Sequence, residues 1–139
     1  MPNKILIAND GSAGAAKALS AAVALAKLEK AELHMISVEE LPQFPVSIDE
    51  VIEEKHDANH RFVEVIKKAE TEARSRRVKL TAHVAVGHAV SNIIEMIERH
   101  RFDLLVIGYM GHAALYNRLI GSTTDRLVEL APCSVLVVK

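Results

Sequence analysis

Five apolar runs of strand length, each separated by a segment long enough for a helix, constrain this chain more than any other feature. The runs are Ile5–Ala8, Leu33–Val38, Val78–Val86, Phe102–Ile107 and Ser134–Lys139. A continuous apolar run such as Ile5–Ala8 suits a strand covered on both faces, because neither face then needs polar side chains, while Val78–Val86 alternates in part. The segments between them carry helical spacing. In Ala13–Glu29, the residues Ala15, Ala18, Leu19, Ala22, Val23 and Ala26 make one apolar stripe of small side chains that can lie close on a sheet. Val90, Ile93, Ile94 and Ile97 repeat at intervals of three, four and seven. A long helix is expected over Asp49–Arg76, with Ala58, Phe62, Val65, Ala69 and Ala73 inward, and a last helix over Ser122–Ala131, closed by Pro132. Leu41-Pro42-Gln43-Phe44-Pro45 interrupts the pattern, since two prolines cannot sit inside a helix, so residues 39–48 read as a surface connection.

The resulting order is βαβαβαβαβ. Alternation with right-handed crossovers implies one five-stranded parallel sheet, in the order 3-2-1-4-5, with helices on both faces. Residues 1–139 are expected to form one α/β domain, and 139 residues suffice to bury one continuous core.

Charge and cysteine content narrow the function. The formal net charge is −1, so no global positive field draws the chain to nucleic acid or an acidic membrane. Arg74, Arg76, Arg77 and Lys79 read as the solvated end of a helix. The single cysteine, Cys133, excludes an internal disulfide and a cysteine-rich zinc site, and its apolar surroundings suggest a buried structural thiol. No apolar run reaches membrane-spanning length and the N-terminal run is too short for a signal-peptide core, which makes the cytoplasm the expected address.

In open sheets of this class, ligands bind beyond the carboxyl ends of the strands where the strand order reverses. With strand 1 central, that point lies between strands 1 and 4. The residues leaving them are Asn9-Asp10-Gly11-Ser12 and Gly108-Tyr109-Met110-Gly111, both rich in glycine and small polar groups. Nine residues separate Gly111 from Gly121-Ser122-Thr123-Thr124 at a helix start. Glycine admits positive φ and close approach of a ligand, and a helix N-terminus offers free N–H groups to a phosphate. The hydroxyls of Ser122 and Thr123 can add hydrogen bonds to phosphate oxygens or magnesium. On spacing alone, Gly108 and Gly111 could equally shape a turn, and Ser122 could simply cap the helix. Neither the G-x-x-x-x-G-K-[ST] loop nor a G-x-G-x-x-G after strand 1 is present.

Gly108-x2-Gly111-x9-Gly121-Ser122 resembles the G-x2-G-x9-G-[ST] signature of the ATP-binding branch of the universal stress protein family. The resemblance covers the whole chain, through Asp10-Gly11-Ser12, the Gly87 turn, Asp103–Gly108 and Ala131–Val138. It implies an adenine nucleotide alpha hydrolase-like fold and binding of ATP, or another adenine nucleotide, with magnesium. It also implies that Asp10 contacts the ribose or the metal–phosphate group, and that backbone near Ala8 and Ser37 borders the adenine. Gly108, Gly111, Gly121 and Ser122 would then hold the phosphates, and His112, beside the second glycine, is placed to touch one. Ala8 stands where ATP-binding relatives often carry proline, and Ser37 where valine is common. The role implied is a nucleotide-responsive regulator of the stress response. A slow ATPase or phosphotransferase is the enzymatic alternative, with Arg118 the only basic residue in the loop, and a nucleotide-free dimeric interaction module is a third reading.

Other constellations carry less. His56 and His60 share an i, i+4 helix face without a clear third ligand beyond Glu53 or Glu64, so a solvated face is the simpler account. Ser12, Ser122 and His112 lack a base placed beside an activated serine. Glu39 and Glu40 read as a polar strand end, and Tyr109 and Tyr116 as packing or lid residues. Strand 5 would lie at a sheet edge protected only by Lys139, which implies a homodimer paired through residues 134–139, as the family resemblance also does.

Overall fold

The computed structural model describes residues 2–40, 48–49, 60, 62–109 and 123–139. These form β1 (Lys4–Ala8), α1 (Ala13–Glu29), β2 (Glu32–Glu40), α2 (Val63–Ser75), β3 (Leu80–Gly87), α3 (Ala89–His100), β4 (Leu104–Gly108), α4 (Thr123–Leu130) and β5 (Ser134–Val138). All strand pairs are parallel and the order is β3-β2-β1-β4-β5, as the alternation implies. Successive side chains of a strand point to opposite faces, and the central strands feed two cores accordingly. Ile5, Ile7, Leu33, Met35, Leu104 and Val106 meet the alanine stripe of α1 and Ala69 and Ala73 of α2. On the other face, Leu6, Ile36, Leu105 and Ile107 meet Ile93 and Ile97 of α3, Phe102, and Leu127 of α4. Central β1 is buried on both faces at Ile5, Leu6 and Ile7, which explains its unbroken apolar run.

Two expectations change. β2 continues through Glu39 and Glu40, which pair with Val86 and Gly87, so these residues belong to the sheet and not to a surface connection. Glu40 gains a role there: its carboxylate accepts the Ala89 N–H at 3.1 Å and lies 3.8 Å from His88, capping α3 with an acidic group. The helix expected over Asp49–Arg76 is described in its second half, where α2 starts at Val63 after Phe62, which sits outside helical geometry and is buried. Residues 50–59 and 61 lie outside the described residues, Ala58 among them.

Cys133 is half-buried against the second core, and burial pushes its thiol above the ordinary range, so it is less reactive than a free thiol. Among the described residues, no helix is long and apolar enough to cross a membrane.

Candidate functional site

The carboxyl ends of β1 and β4 lie side by side, because the two strands pair in register from Ile5↔Leu104 to Ile7↔Val106. The chain leaves β1 through Asn9, a residue whose importance the sequence did not announce. Asn9 is buried, and its N–H extends the ladder to the Ile36 carbonyl at 2.9 Å. Its side-chain oxygen accepts the Gly11 N–H at 2.9 Å, and its amide nitrogen donates to Met35 Sδ at 3.4 Å. Its own carbonyl accepts the Ser37 hydroxyl at 2.7 Å. A buried amide satisfied this fully fixes the turn that follows it. The signal for it was present: an asparagine directly after a wholly apolar strand must find partners inside.

The next residues build the start of α1. Asp10 is exposed, and its Oδ1 accepts the Ser12 N–H at 2.9 Å. Gly11 takes φ +86°, a conformation that favours glycine. Ser12 is the N-cap, its hydroxyl accepting the Ala15 N–H at 3.1 Å.

On the β4 side, Gly108 faces the first turn of α1. A Cβ at Gly108 would lie 2.6 Å from the Gly14 oxygen and 2.7 Å from the Gly14 carbonyl carbon. The glycine is therefore required by packing of β4 on α1, whatever else it does. Its carbonyl accepts the Thr124 hydroxyl at 2.9 Å, which ties the first turn of α4 to the strand end. Tyr109 donates its N–H to the Val138 carbonyl at 2.9 Å, and Lys139 Nζ lies 5.1 Å from the Tyr109 ring centroid.

The structure thus places Ala8 and Asp10 at the β1 exit beside the end of β4 at Gly108, to which Thr124 ties the α4 start, with Ser37 bonded to the same β1 turn. Gly111, His112, Gly121 and Ser122 lie outside the described residues, as do Arg118, Tyr116 and most of the His56–His60 segment. Of that segment, His60 is exposed. Glu64 sits 3.9 Å from Lys67 on the same helix. Among the described residues, no group of three or more His, Cys, Asp or Glu is arranged to hold a metal.

A second group of titratable side chains lies towards the opposite end of the sheet, on the α3 face. His34 of β2 and His83 of β3 have rings parallel to within 5°, with centroids 5.2 Å apart. His34 Nδ1 and His83 Nε2 are 2.9 Å apart, and His34 Nε2 is 2.7 Å from the Glu32 carboxylate. A carboxylate only accepts, so His34 Nε2 donates to Glu32. In the neutral pair its Nδ1 then accepts from His83 Nε2–H. That hydrogen bond from His34 holds the Glu32 carboxyl below its usual range. His100 lies beyond, its ring centroid 6.2 Å from that of His83, while Phe102 meets His34 edge-on and Lys4 Nζ sits 5.0 Å from the Phe102 centroid.

Burial, then the neighbouring His34 and His100, lower the pKa of His83 below the ordinary histidine value. A depressed histidine makes the folded state bind fewer protons than the unfolded chain. Its contribution to stability is therefore complete above about pH 6.5 and is lost as pH falls from there through the folded pKa. His83→Gln, which keeps a hydrogen-bonding group and removes the titration, is expected to flatten stability between about pH 7 and pH 5. Urea midpoints across that range test it, and an unchanged pH slope in the variant would refute it.

The sheet order defines an open, doubly wound α/β protein, a class whose ligands bind where the strand order reverses; that reversal falls here between β1 and β4. The chain belongs to the universal stress protein family, whose model matches residues 1–139. It is 32% identical over 144 residues to a universal stress protein of Methanocaldococcus jannaschii, covering 98% of this chain and 81% of that protein. Its structure is similar to that of the universal stress protein UspA from Lactobacillus plantarum, with TM-score 0.85, 26% identity and 99% and 97% of the two chains covered. It also shares the fold of a universal stress protein crystallised in complex with cAMP, at TM-score 0.79 and 20% identity, over 99% and 97% of the chains.

Proposed function

We propose that the crevice between β1 and β4 binds an adenine nucleotide, ATP with magnesium, and that the protein is a nucleotide-responsive regulator in the stress response. The observation that carries this reading is the convergence of Asp10, Gly108 and the α4 start at the point where the sheet changes direction. The donor set suits such a ligand. The Asp10 carboxylate can accept ribose hydroxyls or share magnesium. Thr123 supplies a hydroxyl, and the N–H groups at the α4 start supply partial positive charge for phosphates. The Ser37 hydroxyl is committed to Asn9, so recognition at that position falls to its backbone, as does recognition at Ala8, which has no polar side chain. The family neighbour that holds cAMP supports an adenine nucleotide as the ligand class. Gly111, His112, Gly121 and Ser122 complete the proposed phosphate corner through the sequence signature. Assembly as a homodimer through β5 belongs to the same reading.

Equilibrium titration with a fluorescent ATP analogue and magnesium tests the proposal. Saturable binding below millimolar concentration is expected, together with an ATP-dependent rise in thermal midpoint. Gly121→Val is expected to abolish that rise while leaving the ligand-free midpoint near the parent value. Absence of saturable binding by the parent overturns the reading, and an undiminished rise in the variant moves the phosphate elsewhere.

A further inference from the structure

We infer that the groove at the opposite end of the sheet, between the C-termini of α1 and α2, binds a short inorganic polyphosphate chain. This groove has a volume of about 720 Å³, and Lys27, Lys30, Arg77 and Lys79 all line it. All four side chains are exposed, so their charges reach a solvent-borne ligand. Lys27 donates to the Arg76 carbonyl at 2.8 Å, which holds the two helix ends together across the groove. Lys30, Arg77 and Lys79 form no ion pair among the described residues. The one carboxylate lining the groove, Glu32, is engaged by His34 at 2.7 Å and by Lys4 at 3.7 Å. The chain as a whole carries a net charge of −1, so four cations around one groove are a local concentration and not a property of the surface at large.

The backbone sharpens the point. Lys30 caps α1 at φ +56° and Arg77, one residue past the Arg76 cap of α2, takes φ +59°, the left-handed region where glycine is the unstrained choice; Arg101 caps α3 in the same way, away from the groove. Two long cationic side chains thus occupy positions whose backbone favours glycine, and both project from the rim of the same groove. Helix C-termini carry partial negative charge, which accounts for one cation at each end. Lys27 and Lys79 are additional to that. The ligand chemistry follows from the lining. Four cations in a compact cluster match closely spaced phosphates. The one ring in the lining, His34, is already engaged by His83 and Glu32, which leaves no platform on which a nucleic-acid base could stack.

The glycine-favouring caps give a clean experiment, since Lys30→Gly and Arg77→Gly remove charge while relieving the backbone. Calorimetric titration with sodium tripolyphosphate is expected to show saturable binding by the parent that weakens as sodium chloride is raised. The double variant K30G/R77G is expected to bind at least tenfold more weakly and to keep or raise its thermal midpoint. A control, K67Q/K68Q, makes the same change in net charge on α2 away from the groove and is expected to bind as the parent does. Binding of a fluorescent adenine nucleotide, read in parallel, reports the β1–β4 crevice and is expected to be the same in the parent and K30G/R77G. The inference falls if the parent shows no saturable binding of tripolyphosphate or if K30G/R77G binds it undiminished. It falls equally if K67Q/K68Q loses as much affinity, or if a single-stranded oligonucleotide of equal phosphate number binds the groove more tightly.

Discussion

Replacing Gly108 by alanine is expected to lower folding stability by about 1–3 kcal/mol, without any ligand present. The new Cβ would sit 2.6 Å from the Gly14 oxygen and 3.1 Å from the Ala15 nitrogen, and both belong to the backbone of α1. Neither can rotate aside as a side-chain tip would, so β4 and α1 must separate. The movement would disturb one of the molecule's principal contacts, the burial of Ala15, Ala18 and Leu19 against the sheet. The Thr124 hydroxyl bond to the Gly108 carbonyl would shift with the strand end. Denaturant unfolding of parent and variant in nucleotide-free buffer measures the effect. Equal midpoints would show that the strand end yields freely and that the glycine serves a ligand alone. A loss of the expected size makes Gly108 a poor probe of nucleotide binding, and Asp10→Ala, at an exposed position, the better one.

β1 and β4 could be read from the sequence because a strand buried on both faces has to be apolar throughout, and the strand order followed from the connections. The limits of α1, Ala13–Glu29, agree with the expectation because Ser12 and the alanine stripe mark its start and inner face. The end of β2 did not read the same way. Glu39 and Glu40 look like a polar exit, yet pairing with β3 and the cap on α3 outweigh local composition. The juxtaposition of the β1 and β4 ends was legible, since topology alone brings them together. The dual duty of Gly108 was not, because spacing cannot distinguish a glycine vacated for a ligand from one pressed against a neighbouring helix. The histidine group left no local trace at all. His34, His83 and His100 stand far apart in the chain, and only the β2–β3 register, His34↔Thr81 and Ile36↔His83, brings the first two together.

Leu136→Lys is expected to convert a dimeric protein into a monomer while leaving the fold in place. β5 bonds to β4 along one edge, from Leu104↔Ser134 to Gly108↔Val138, and among the described residues no strand pairs with its other edge. An edge of five residues, SVLVV, with no proline or internal charge invites addition of another strand. Leu136 is exposed at its centre, and Val128 and Leu130 are exposed on the helix just before it. Two copies related by a two-fold axis would pair these strands antiparallel and bring equivalent side chains near one another across the axis. Lysine at 136 would place two like charges at that point and remove apolar area from the contact. Removing residues 135–139 altogether is a harsher test, because Val135 and Val137 pack in one core and Val138 in the other. The Val138 carbonyl also holds the Tyr109 N–H. Truncation would therefore confound assembly with folding, whereas Leu136 already faces solvent. Sedimentation at micromolar concentration gives the mass, and circular dichroism confirms that the variant stays folded. A monomeric parent refutes the dimer, and a folded variant that remains dimeric places the interface on another surface.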